Sequence, residues 1–99
     1  MKNFKNTVKS IKGLQYMKRR LEEMGFSPKM NIDDGFPCLD TSIIDTDNKE
    51  WFFRIRIFSD EINLYYTNDS GASGDVELKH NKKNIKALIL SIYTFCNFE

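Results

Sequence analysis

The amino-acid sequence predicts an α+β domain. It consists of an antiparallel sheet of four to five strands with an N-terminal and a C-terminal helix packed on one face, in the order α-β-β-β-β-β-α. Three observations predict it. Apolar residues recur at helical spacing over the first 24 positions, alternate with polar ones between Pro28 and Lys79, and return to helical spacing after Asn81. Short strands flanked by helices build two layers around one core, and 99 residues are enough for one domain, 1–99, but not for two.

In the first helix Phe4, Val8 and Ile11 share one stripe, and Leu14, Met17, Leu21 and Met24 continue on a rotated one. Gly13 stands where the stripes change over, so the helix either wraps a wide apolar face or kinks there. Gly25, Phe26 and Pro28 then stop it, as a left-handed residue, an apolar residue that folds back and a helix breaker.

A short strand is expected around Lys29–Ile32, with Asp33-Asp34-Gly35 and Phe36-Pro37 read as turns on either side of it. Leu39–Ile44 reads as the second strand and Asp45–Lys49 as a polar turn. Trp51–Phe58 is the clearest strand, with Trp51, Phe53, Ile55 and Ile57 alternating against Phe52, Arg54, Arg56 and Phe58. Ser59-Asp60-Glu61 turns into Ile62–Tyr66, Asn68–Asp75 reads as a loose loop, and Val76–Lys79 as a last short strand. The closing helix starts at Asn81, a good N-cap, and carries Ile85, Leu88, Ile89, Ile92 and Cys96 as its apolar stripe.

The net charge of +1 hides a segregation. Residues 1–29 hold eight cations against two acids, residues 30–78 three against eleven, and residues 79–99 four against one. The helices are therefore basic and the sheet with its loops acidic, so the blocks either pair internally or present two faces of opposite sign. No apolar run is long enough for a membrane span or a secretory h-region, which points to a cytoplasmic chain without a membrane partner. Cys38 and Cys96 lack metal-ligand or CxxC spacing and read as thiols, with a disulfide as the alternative. The wealth of Lys, Ile and Asn beside two alanines is what AT-rich codons produce, a bias shared by many phages and mobile elements.

Two resemblances bear on function. Val76-Glu77-Leu78-Lys79, with Asp60 upstream and Glu22 on the first helix, resembles the PD-(D/E)xK nucleases over about twenty residues. That resemblance implies carboxylates on a divalent metal and a lysine positioning water. The strand before the motif lacks that family's Pro-Asp. Separately, His80-Asn81-Lys82-Lys83-Asn84-Ile85-Lys86 resembles, in element order only, the lysine-bearing helix of double-stranded-RNA-binding domains. With Lys18, Arg19 and Arg20, the lysines Lys82, Lys83 and Lys86 form the nucleic-acid alternative.

No catalytic or metal-binding set stands out and no cofactor is expected, so the leading expectation is a non-enzymatic inhibitor or accessory factor that binds a protein. Arginines beside aromatics are what interface hot spots favour. The expected contact residues are Asp45, Asp47, Phe52, Arg54, Arg56, Phe58, Asp60, Tyr65, Asp69 and Asp75. A basic nucleic-acid-handling protein would suit that acidic surface, and a homodimer through the same aromatics is a further outcome.

Overall fold

The computed structural model describes residues 4–45, 47–58 and 60–97, with side chains for 10–45, 47–58 and 60–94. The side chains of Phe4, Val8 and Cys96, the cations Lys2, Lys5 and Lys9, and Ser59 of the expected turn lie outside them. The order is α1 (Phe4–Glu23), β1 (Lys29–Asp33), β2 (Phe36–Ile44), β3 (Glu50–Ile57), β4 (Glu61–Asn68), β5 (Ser73–Lys79) and α2 (Lys82–Asn97). The five strands form one antiparallel meander in which every strand lies beside its sequence neighbour.

Alternation decides which side chains go inside. Leu39, Ile43, Phe53, Ile55, Ile57, Ile62 and Leu64 point to one face, where Leu14, Met17 and Leu21 of α1 and Ile85, Leu88, Ile89 and Ile92 of α2 complete the core. Both helices therefore cover the same face, as expected. α1 is one unbroken helix through Gly13. The glycine serves close approach instead of a kink: a Cβ there would lie 2.9 Å from Ile57 Cδ1. The helix ends in a Schellman motif. Gly25 takes φ 98°, its amide donates to the Glu22 carbonyl at 3.0 Å, and the Phe26 amide donates to the Leu21 carbonyl at 3.0 Å. At the start of α2 the Asn81 Oδ1 accepts from the Asn84 amide at 2.8 Å, the expected N-cap.

Two expected loops are tighter than the sequence implies. Asp34 and Gly35, with φ 55° and 82°, make a two-residue turn that pairs Asp33 with Phe36, so Phe36 and Pro37 belong to β2 rather than to a turn. Pro37 is tolerated because Ile32↔Pro37 is a non-hydrogen-bonded pair and the β3 ladder begins only at Cys38. The segment Asn68–Asp75 is likewise no loose loop. β4 runs on to Asn68 and β5 begins at Ser73, because the Asn68 side chain accepts from the Ser70 and Ala72 amides and the Asn68 amide donates to the Ala72 carbonyl. Gly74 of β5 lies under the Tyr66 ring, whose Cζ would be 2.6 Å from a Cβ there; that ring in turn packs against Trp51 and Phe53.

Candidate functional site

With both helices on one face, the other face of the sheet carries the remaining alternate residues. Register sets them in rows: Lys29, Asp40, Arg54, Tyr65 and Asp75 in one, Asn31, Cys38, Arg56, Asn63 and Glu77 in the next. Phe52 of the expected contact set also lies on this face, level with Thr67. Phe58, just beyond β3, packs edge-on against Phe36 with centroids 5.8 Å apart.

The centre of this face is an ion-pair lattice. Arg54 donates from Nε and NH2 to the two oxygens of Asp40, both at 2.8 Å, and Asn31 Nδ2 donates to the same carboxylate at 2.6 Å. Asp33 bridges the two arginines, 3.5 Å from Arg54 NH1 and 3.0 Å from Arg56 NH2. The Arg54 guanidinium also lies over the Phe52 ring, 5.5 Å from its centroid. Burial pushes the Asp40 carboxyl upward, but the bonds from Arg54 and Asn31 outweigh it and hold the group below the usual carboxylate range. Arg54 is held upward by the same pair. Beneath the lattice Cys38 is a free, fully buried thiol, raised by burial first and by the Asp40 charge second. The Nε of Arg56 is buried with no hydrogen-bond partner.

The structure divides the remaining expected acids between two ends. The β2–β3 and β4–β5 turns lie side by side, since Trp51 pairs with both Ile43 and Asn68, and this gathers Asp45, Asp47 and Asp69 at one end. Asp75 faces out nearby, opposite Tyr65. Asp60 is at the other end, where its carbonyl accepts from the His80 amide at 3.1 Å. Asp45 also shapes its own turn. It accepts from the Asp47 and Lys49 amides at 2.9 and 3.0 Å and from Trp51 Nε1 at 2.8 Å. The Lys49 amide and then the Trp51 bond hold its carboxyl below the ordinary range.

Of the nuclease-like residues, Glu77 and Lys79 lie on β5 with Asp60 next to the Glu61↔Lys79 pair, and Glu22 stands apart from them. Glu77 shares the open face with Asn63 and Arg56, whereas Glu22 is in the helix layer, bound to Lys18 at 2.8 Å. Among the described residues no group of three or more His, Cys, Asp or Glu is placed to hold a metal ion. The helix cations differ among themselves. Lys18 and Arg20 pair along α1 with Glu22 and Glu23, Arg19 lies over the Tyr16 ring at 5.9 Å, and Lys83 is exposed. Lys82 and Lys86 instead line a groove between the helices with Lys12, Tyr16 and His80. Nothing local in the sequence marks Lys12, Tyr16 or His80 as ligand-binding; the one clue is that Lys12 and Tyr16 stand four apart around Gly13 on one side of α1. No helix among the described residues is long and apolar enough to cross a membrane. No family model matches the chain, and no curated protein or solved structure shows significant similarity to it.

Proposed function

We propose that the protein acts by binding a basic protein partner through the open face of its sheet, at the end that carries the β2–β3 and β4–β5 turns. The observation that carries this reading is the separation of charge. Among the described residues the ion pairs run either within α1 or within the sheet, and none joins a helix cation to a sheet acid. The acids at the turn end thus keep their field for something outside the molecule. Phe52, Arg54 and Tyr65 lie inward of Asp47, Asp69 and Asp75, an aromatic and arginine patch with an acidic rim. The lattice fixes the Arg54 rotamer before any partner arrives, which lowers the ordering cost of association. A nucleic-acid-handling protein fits this chemistry, since its phosphate-binding surface is basic; occupying that surface would make the chain an inhibitor or an accessory factor of the kind mobile elements carry.

The test is affinity capture from nuclease-treated lysate of the source cell at low salt, run in parallel with two variants. Asp47→Lys with Asp69→Lys and Asp75→Lys reverses the rim at exposed positions; Lys82→Ala with Lys83→Ala alters only the helix layer. A stoichiometric protein that the rim variant loses and the helix variant keeps is the expected result. A partner indifferent to the rim, or no partner at all, refutes the reading.

A further inference from the structure

The second charged feature is on the opposite side of the molecule. Where α2 begins, the facing flanks of the two helices enclose a groove of about 470 Å3, walled by Lys12 and Tyr16 of α1, by His80, and by Lys82, Ile85 and Lys86 of α2. Gly13 lines the groove as well, and its missing side chain leaves room for Ile57 to pack against that wall. The volume is in the range that holds a small organic ligand.

Its chemistry is one-sided. Three lysines line it and no acid does. None of the three has an ion-pair partner among the described residues, although Lys18 and Arg20 on the same helix layer do. Lys82 and Lys86 are four residues apart in the first turns of α2, where like charges repel each other and both oppose the helix dipole. Folding gains nothing from that placement. Tyr16 adds an aromatic ring and Ile85 an apolar surface, so the groove is not simply a cluster of charge. His80 is also oriented: its Nδ1 lies 3.0 Å from the Phe58 carbonyl and so carries the hydrogen of that bond. Its Nε2 lies 3.8 Å from where a Cβ on Gly13, another lining residue, would be, and in the neutral ring it is an acceptor.

We propose that this groove binds one nucleotide unit, with Lys12, Lys82 and Lys86 on phosphate oxygens and the Tyr16 ring beside the base. His80 Nε2 accepts from a base amino group or a sugar hydroxyl. The unit comes either as a free nucleotide or within a single strand, and in both cases the recognised chemistry is an anionic phosphate joined to a flat ring. The reading does not depend on the protein-binding face, which lies across the sheet.

Fluorescence anisotropy of a labelled ten-residue oligothymidylate, with adenosine triphosphate as competitor and as a separate ligand by calorimetry, tests it on the full chain. Binding of the strand with displacement by the triphosphate, or of either alone, identifies the source and supports the site. A unit within a strand offers its own phosphate and the next, and neutralising these two gives a log–log salt slope of about −1.4, so strand affinity falls about 7-fold between 50 and 200 mM salt. Lys12→Gln with Lys86→Gln lowers affinity for whichever ligand binds at least about tenfold, as expected for two lost charge-assisted bonds. Tyr16→Leu weakens it further, and Tyr16→Phe, which keeps the ring, retains it. Lys18→Gln with Arg20→Gln leaves it unchanged. Circular dichroism and melting confirm that each variant is folded. Binding of neither ligand, or equal losses in the Lys12/Lys86 and Lys18/Arg20 pairs, overturns the proposal.

Discussion

Replacing Asp40 with Ala removes the carboxylate that receives two bonds from Arg54 and one from Asn31, at 2.8, 2.8 and 2.6 Å. The Asp40 side chain is 10% exposed and that of Arg54 27%, so this pair belongs nearer to the buried than to the surface class. Breaking a buried pair from one side costs about 3–5 kcal/mol, because the surviving charge is left desolvated. Two features reduce that figure here. Arg54 reaches water over about a quarter of its surface and keeps Asp33 at 3.5 Å. A loss of about 2–3 kcal/mol is therefore expected, well above the 1 kcal/mol or less of an exposed pair. With a urea slope of about 1.2 kcal/mol per molar, near the low end for small domains, the unfolding midpoint falls by about 2 M. Urea titration followed by circular dichroism measures it, and a fall under about 0.4 M would show that the lattice is surface decoration. The same pair sets an acid limb. The folded Asp40 carboxyl ionises below its unfolded value of about 3.9, so its contribution is complete above that pH and is lost as the pH falls through the folded value. Asp40→Asn should flatten stability across that window while leaving the rest of the profile alone.

Two other perturbations read different parts of the structure. Gly74→Ala places a Cβ 2.6 Å from Tyr66 Cζ and pushes that ring from Trp51 and Phe53; losing two aromatic contacts, less the gain from removing a strand glycine, leaves a net cost of about 1–2 kcal/mol. The melting temperature should drop by about 5–10 °C, and a rise would mean that the ring does not seal the glycine. In a Cys96→Ser background, Cys38 should react with Ellman's reagent only through local opening, far more slowly than in urea, because it is buried and its thiolate is disfavoured by burial and by Asp40. Prompt labelling of the folded protein would contradict that burial.

The sequence made legible whatever is written in one segment. Helical spacing in Leu14, Met17 and Leu21, alternation through Trp51–Ile57, the Gly25 stop and the Asn81 cap all act within a few residues, and each stands where it was expected. What escaped was set by register. Ser73 and Gly74 carry no strand signal of their own; pairing with Thr67 and Tyr66 makes them a strand. Arg54 and Arg56 read as free interface residues because nothing local shows that Asp33 and Asp40 arrive beside them on β1 and β2. The open face is consequently less acidic at its centre than its block charge implied, and its acids gather at the turns. The groove was hidden because Lys12 comes from α1 while His80 and Lys86 come from the link before α2 and from its start, and only helix packing brings them together.

The meander also has a consequence for how the chain is assembled. Strands that neighbour in sequence pair with little loop to close, so the sheet is built from local contacts and suits rapid folding. The packing of α1 on β3 and on α2 is non-local, and the second contact waits for the last helix to meet the first across the whole intervening sheet. That seam is where Lys12 faces Lys82 and Lys86, so its cations draw apart the two elements that close the fold. An anion held between them would change that repulsion into a clasp, and binding there would tighten the joint on which closure of the core depends.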